Sequence, residues 1–370
     1  MNLRYFENSI LLIFFCFGLR CHLDLNNAGD TRSEAYRMQS LLQCLFSNCF
    51  EGHPGNNAGG SSSSGNSGGS AGAAGFTVTG PFLLVGTAAG LSISTDGGNT
   101  FTNKTTANGL GNDLINGISF VNGVIYAATN SGLSISTDGG NSFTNRACGP
   151  ATFCFGVYVY NGIIYVASDS GLVISTDGGN SFIIKTAANG LGNDYSYGVS
   201  VDSTGNIYVG TDGGLSISTN GGTSFVNKTT ANGLGINTVY GVYEKNPNVY
   251  ASTPSGIAVS IDSGTSFSNK TTVNGLPINN TNGAYLANTT LYVATGGGVA
   301  ISTDNGSSFT NNTNGLVNTA VSEVFALGSK VFAATGGGLG ISTDGGVNYV
   351  NKTTANGLGH NSIYWVYYQE

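Results

Sequence analysis

The stretch GLSISTDGGNTF, Gly90–Phe101, decides the fold because it returns at Gly132–Phe143, Gly171–Phe182, Gly214–Phe225, Gly256–Phe267, Gly298–Phe309 and Gly338–Tyr349. Its acidic position falls at Asp96, Asp138, Asp177, Asn220, Asp262, Asp304 and Asp344, at intervals of 42, 39, 43, 42, 42 and 40 residues. Such an interval suits four short antiparallel strands joined by tight turns, which is one blade of a propeller. In the copy that begins at Asn237 the strands read NTVYGVYE, NVYAST, GIAVSID and SFSNKTT, with Asn, Gly, Pro and Ser at the turns between them. β-Branched and aromatic residues recur on alternate positions, as sheets packed face to face require.

The two ends of the repeat region complement each other. PFLLVGT, Pro81–Thr87, aligns with the second strand of a blade, so the first blade lacks its innermost strand. NSIYWVYYQE, Asn361–Glu370, aligns with an innermost strand that no second strand follows. The expected architecture is all-β: a seven-bladed propeller over 76–370, closed when the C-terminal strand completes the first blade, which leaves no free sheet edge.

Ahead of the repeats, the apolar run ILLIFFCFGL, Ile10–Leu19, is too short to span a bilayer comfortably and follows Arg4, the pattern of an export signal over 1–20. Residues 21–54 hold SEAYRMQSLLQCLFSNCF, Ser33–Phe50, whose apolar residues fall at helical intervals and predict a short amphipathic spacer helix. Residues 55–75 are almost wholly Gly, Ser, Ala and Asn, a flexible tether with a reach of about 25 Å.

Charged residues make up 8% of the chain, the net charge is −7, and Lys and Arg do not cluster, so nothing is available to neutralise phosphates. Nucleic-acid binding is excluded on that ground. Of six cysteines, Cys16 leaves with the signal, and proximity pairs Cys44 with Cys49 and Cys148 with Cys154. None has zinc-site spacing and the histidines are three, so neither metal nor cofactor is expected.

The repeated S-T-D-G-G-x-x-F resembles the Asp-box hairpin of sialidases and other propellers, across all seven copies. The resemblance implies structural work: the aspartate accepts N–H groups across the turn, Gly97 and Gly98 take positive φ, and Phe101 folds back as a plug. Asn220 in one copy indicates that charge is dispensable there. Sialidases hold the substrate carboxylate with three arginines, whereas this propeller has Arg146 alone, and its glutamates are Glu244, Glu323 and Glu370. Catalysis is therefore not expected. TTANGLGINTVYGVYEKNPNVYAST, Thr229–Thr253, also resembles propeller repeats in the sensor portions of two-component regulators and, more loosely, photosystem assembly factors. The N-terminus resembles bacterial lipoproteins, with the permissive cleavage site of the spirochaete type, which implies acylation of Cys21 and membrane attachment.

One column breaks the repeat. Gly117, Gly156, Gly198, Gly241 and Gly283 give way to Glu323 and Trp365 in the last two copies. A carboxylate and the sole tryptophan there suggest a ligand contact at Glu323, Tyr364 and Trp365, set against the plainer reading that they fill the closing seam. The loops NKTTANGLG at Asn103, Asn227 and Asn351 are identical, which either records duplication or offers a multivalent surface. The expectation is a monomeric, exported propeller, lipid-anchored to the outer membrane or cell surface or otherwise secreted, that binds an extracellular protein or glycan without catalysis. A hydrolytic propeller and an inert envelope scaffold are the alternatives.

Overall fold

A computed structural model describes residues 77–149 and 153–370. The export signal, Cys21, the predicted helix, the Cys44–Cys49 pair and the tether lie outside the described residues. The propeller consists of seven four-stranded antiparallel sheets, each strand pairing with its sequence neighbour except at the seam. There Ile363–Gln369 pairs with Phe82–Thr87, from Phe82 opposite Gln369 to Thr87 opposite Ile363, and so supplies the innermost strand of blade 1. Innermost strands of consecutive blades touch all the way around, and Ile363–Gln369 contacts both Val321–Leu327 of blade 7 and Ile115–Val121 of blade 2.

Alternation along the strands proves to be one of size rather than exposure. Phe82–Thr87 and Gly90–Ser94 are buried at every position. Each inner sheet is sandwiched between two neighbours, so both faces must be dry, and small Ser92 and Ser94 alternate with Leu91 and Ile93. The buried hydroxyls are satisfied locally: Ser92 donates to Asn103 Oδ1 at 2.6 Å and Ser94 to Asp96 Oδ1 at 2.7 Å. An aromatic belt runs from Tyr243 through Tyr285, Phe325 and Tyr367 to Phe120, with successive ring centroids 4.6–5.8 Å apart. Tyr367 carries this belt across the seam.

Outer strands are shorter than the sequence suggests. The segment SFSNKTT contributes only Ser268–Lys270, because Phe267 turns inward and Thr271 caps a 3-10 turn over Thr272–Asn274. The hairpin before it forms as expected. Asp96 Oδ1 accepts from the Asn99 and Thr100 backbone N–H groups, both at 2.9 Å, and Oδ2 accepts from Thr100 Oγ1 at 2.6 Å. These bonds hold the carboxyl far below the usual range, the Thr100 hydroxyl contributing most. Asn220 reproduces the geometry neutrally: its Oδ1 accepts from Ser224 N at 3.0 Å while its Nδ2 donates to Ser224 Oγ at 2.9 Å.

The repeated NKTTANGLG loops stitch neighbouring blades together. In the first, Thr105 and Asn108 form a capping box around Thr106–Asn108, and Asn108 O accepts from Phe143 N of the next blade's hairpin at 2.8 Å. Leu110 is buried, Gly111 N donates to Ser134 Oγ of that blade at 2.9 Å, and Asn103 Nδ2 reaches back to Gly357 O at 2.9 Å. Identity among these loops thus has a packing cause.

Candidate functional site

The ring has two unlike faces. Turns between third and fourth strands line a hairpin face, where the seven Asp or Asn side chains make near-equivalent bonds and where repeat symmetry is kept. Inter-blade loops and the turns between second and third strands form the opposite, loop face. Symmetry fails there, next to the axis. Six of the seven innermost strands begin with a register shift that ejects one residue from the ladder, at Asn116, Phe155, Tyr197, Asn282, Ser322 and Tyr364, and Tyr240 precedes the ladder at the matching place in blade 5.

Three consecutive blades carry aromatics at this position, and two of them carry a second aromatic two residues earlier, at Phe153 and Tyr195. The rings form a continuous arc. Phe153 stacks on Phe155 at 6.3 Å and 18°; Phe155 meets Tyr195 at 5.1 Å and Tyr197 at 6.2 Å; Tyr195 meets Tyr197 at 5.0 Å and 57°. Tyr197 then meets Tyr240 edge-on at 5.4 Å and 86°. Phe153 is 39% exposed, Tyr195 and Tyr240 are half-buried, and Phe155 and Tyr197 are buried behind them.

Two carboxylates sit on the adjoining turns, Asp169 in blade 3 and Asp212 in blade 4. Backbone bonds hold both beside the arc: Asp169 N donates to Phe153 O and Asp212 N to Tyr195 O. Tyr197 Oη donates to Asp212 Oδ1 at 2.8 Å. Burial pushes the Asp212 carboxyl up, against the Tyr197 bond, which favours ionisation. The Tyr240 hydroxyl is pushed up by burial and then by the nearby Asp212 charge.

The loop entering blade 3 differs from the others. Cys148 and Cys154, both buried, form a disulfide across it. Cys154 follows Phe153 directly and occupies the position of Ile115 in blade 2, so the crosslink anchors the start of the arc.

The residues singled out from sequence lie elsewhere. Glu323 and Trp365 occupy the expected column in blades 7 and 1 but are 4% and 1% exposed. Glu323 fills the room left by Gly283, where a Cβ would approach its Oε2 to 2.6 Å. Its Oε1 accepts from Val324 N at 3.0 Å, while Oε2 and Trp365 Nε1 have no hydrogen-bond partner. Tyr364 alone of the three is half-buried on the loop face. The columns that mark the arc lie one and three residues before the column read from sequence.

Burial drives the Glu323 carboxyl well above its ordinary range. The unfolded chain ionises this group near about 4.3, so the folded state holds the extra proton and stability falls as pH rises above that value. Its contribution to the slope approaches about 1.4 kcal/mol per pH unit. Glu323→Gln is expected to remove that share of the fall in melting temperature between pH 5 and pH 8. Glu244, pushed up to about 7 by burial and then by Asp202, and Asp212, pushed up by burial, contribute to the remainder in both proteins. An unchanged slope in the variant would show that Glu323 is charged in the fold.

Among the described residues no group of three or more His, Cys, Asp and Glu side chains is placed to hold a metal ion, and no helix is long and apolar enough to cross a membrane. No family model matches the chain, and no curated protein matches it in sequence. Solved structures of similar fold include the extracellular domain attributed to the hybrid two component system BT3049 of B. thetaiotaomicron, at TM-score 0.60 and 17% identity over 71% of this chain and 38% of that one. They also include the GH74 xyloglucanase of Xanthomonas campestris, at TM-score 0.60 and 14% identity over 74% of this chain and 53% of that one. YCF48 of Cyanidioschyzon merolae is similar at TM-score 0.51 and 15% identity, over 65% and 85%. This chain spans well under two thirds of the first two. The likeness is one of fold alone, a β-propeller, found also in an extracellular domain of a two component system, in a xyloglucanase and in YCF48.

Proposed function

We propose that this chain is a non-catalytic binding protein of the cell surface, exported and acylated at Cys21, that recognises an extracellular protein or glycan through the loop face of its propeller. The supporting observation is confinement: seven near-equivalent hairpins on one face, and on the other an aromatic and acidic arc restricted to blades 3, 4 and 5. An inert scaffold has no use for such asymmetry, and an exposed Phe153 with half-buried Tyr195 and Tyr240 beside two carboxylates puts apolar area and hydrogen-bond acceptors together, as a recognition surface requires. The hairpin aspartates act structurally in the Asp-box manner. Tyr364 offers a second contact on the same face at the closing blades, with Glu323 and Trp365 as the buried support of that seam.

The hydrolytic alternative rests on Asp212, whose raised carboxyl suits a general acid, in a fold that also serves a xyloglucanase. A screen of the purified chain against a glycan array and a panel of extracellular matrix proteins separates the readings. Binding is expected, reduced at least tenfold by Tyr197→Ala/Tyr240→Ala and little changed by Tyr364→Ala. Loss confined to Tyr364→Ala would move the site to the closing blades. Hydrolysis of an arrayed glycan that Asp212→Asn abolishes would establish the enzyme, and absence of any binding would favour the scaffold.

A further inference from the structure

We propose that blades 5 to 7 of the loop face form an aliphatic docking sector for an extended protein segment, one that carries branched aliphatic side chains at one end and lysine or arginine at the other. This rests on the reading of the loop face as a recognition surface and names the kind of partner that surface takes. The loops that enter the blades diverge at two consecutive positions. Those entering blades 2 and 4 read Asn112-Asp113 and Asn193-Asp194, whereas those entering blades 5 and 6 read Ile236-Asn237 and Ile278-Asn279.

At the first position the fold favours a polar side chain. Asn112 Oδ1 accepts from Leu114 N and Asn193 Oδ1 from Tyr195 N, both at 2.8 Å, and Asn318 and His360 accept the same N–H two residues on in the loops entering blades 7 and 1. Isoleucine cannot accept that bond, yet Ile236 and Ile278 stand here, exposed to solvent. Local stability does not account for them. Val273 replaces the alanine of four other loops and is 92% exposed, and exposed Val317 follows in the loop entering blade 7. Ile278 and Val317 rest on bare turns, 3.4 Å and 3.2 Å from where a Cβ would stand on Gly297 and Gly337. Single exposed aliphatics are ordinary, but four in three consecutive loops make a patch.

At the second position the fold is indifferent to charge. Asp113 and Asp194 each accept the backbone N–H seven residues back at 2.7 Å, and Asn237 and Asn279 accept it at 3.0 and 2.9 Å. A carboxylate there adds charge without adding structure. With Asp169 and Asp212 on the turns of blades 3 and 4, these aspartates make blades 2 to 4 acidic, whereas 229–238, 271–280 and 313–320 hold no charge. Arg146 and five equivalent lysines end the outer strands of every blade but the sixth, so they do not distinguish the two sectors. Lys228 turns its Nζ to Thr265 O of the neighbouring hairpin, at 3.4 Å. The charge of the occupant follows: cations over blades 2 to 4, beside aliphatic side chains over blades 5 to 7. Four partly exposed side chains fall short of the ~800 Å² that each partner buries in a standard interface, so a segment fits and a second copy does not.

The test uses the full chain and three fluorescein-labelled twelve-residue peptides, titrated by fluorescence anisotropy. The first has three lysines in one half and three isoleucines in the other, spaced by glycine and serine; the second replaces the isoleucines by serine, the third the lysines by glutamate. The first is expected to bind at least about tenfold more tightly than either of the others. Two exchanges between copies probe the sectors without foreign residues. Ile236→Asn/Ile278→Asn installs the residue of the loops entering blades 2 and 4, and should weaken the first peptide about tenfold while the melting temperature holds or rises. Asp113→Asn/Asp194→Asn should weaken it about threefold at 50 mM salt and leave it unchanged at 500 mM. Ile261→Thr, which gives the hairpin face of blade 5 the threonine of the other six copies, should change nothing. Equal binding of the first and second peptides, unchanged affinity in Ile236→Asn/Ile278→Asn, an equal loss in Ile261→Thr, or no binding of any peptide overturns the docking sector. Equal binding of the first and third peptides, or no loss in Asp113→Asn/Asp194→Asn, overturns its cationic end. If array hits are lost in Tyr197→Ala/Tyr240→Ala yet survive Ile236→Asn/Ile278→Asn, the recognition surface stands and the docking sector does not. If the array and the peptides both fail, both readings fall.

Discussion

A chain that ends at His360, without Asn361–Glu370, is expected to lose the cooperative unfolding of the propeller altogether. Ile363, Trp365, Val366, Tyr367 and Tyr368 are all buried, and Tyr367 is the link between Phe325 and Phe120 in the inner aromatic belt. Deleting a single large core side chain commonly costs about 2–5 kcal/mol, so five together cost about 10–25 kcal/mol, against the ~5–15 kcal/mol by which a domain is stable. The deletion also uncovers Phe82–Thr87, buried at every position, as a bare apolar edge that invites association. Calorimetry on full-length and truncated chains decides the matter: the native transition should vanish and the truncated protein should aggregate. A truncated chain with the native melting temperature would mean that the ring does not depend on its C-terminal strand. Restoration of the transition by a synthetic Asn361–Glu370 peptide would tie the effect to strand addition rather than to lost length.

That closure was legible because it is a counting property. Pro81–Thr87 opens a blade that has three strands and lacks its innermost one, Asn361–Glu370 is an innermost strand left over, and a ring is the arrangement that uses both. The hairpins were legible for a related reason: Ser, Asp, Gly and Phe each have one job within eight residues, so local chemistry and local structure coincide. Exposure was less legible. The alternate serines carry no mark of burial in the sequence, yet Ser92 and Ser94 are buried, because a blade has neighbours on both sides and hydroxyls can be satisfied by Asn103 and Asp96 across one strand or one turn.

The site was read from a neighbouring column. Glycine giving way to Glu323 and Trp365 is a conspicuous break, but those residues face the crowded interior, where an exception is accommodated by packing against Gly283 and the seam. The bulge residues just before them reach the loop face, and a bulge cannot be foreseen from alternation alone because it adds one residue without changing the composition of the strand. Aligned, Asn116, Phe155, Tyr197, Tyr240, Asn282, Ser322 and Tyr364 show an aromatic run in three consecutive blades. Only the fold says that this column borders the axis and that Asp169 and Asp212, some fourteen residues further on in each copy, return to its side.

Two glycine substitutions should separate sharply, although both residues have positive φ. At Gly97, the first glycine of a hairpin, φ is +74° and a Cβ would meet nothing within 4 Å. Ser263 and Asn305 already occupy this position in blades 5 and 6, each at φ +57°. Gly97→Asn should therefore shift the melting temperature by no more than about 1–2 °C, since a short polar side chain enters the left-handed region at little cost. At Gly233, in the loop from blade 4 to blade 5, φ is +97° and a Cβ would run into the backbone carbonyl of Phe267. That carbonyl cannot swing aside. Phe267 N is bonded to Asn232 O at 2.8 Å, and the Phe267 ring plugs the hairpin of blade 5. Gly233→Ala thus adds about 1–2 kcal/mol of backbone strain to about 1–3 kcal/mol of overpacking, a fall of roughly 5–15 °C in melting temperature. If Gly233→Ala melts with the native protein, the loop is not the inter-blade stitch described above. Its repeated sequence would then need another cause, and a multivalent surface would return as the leading one.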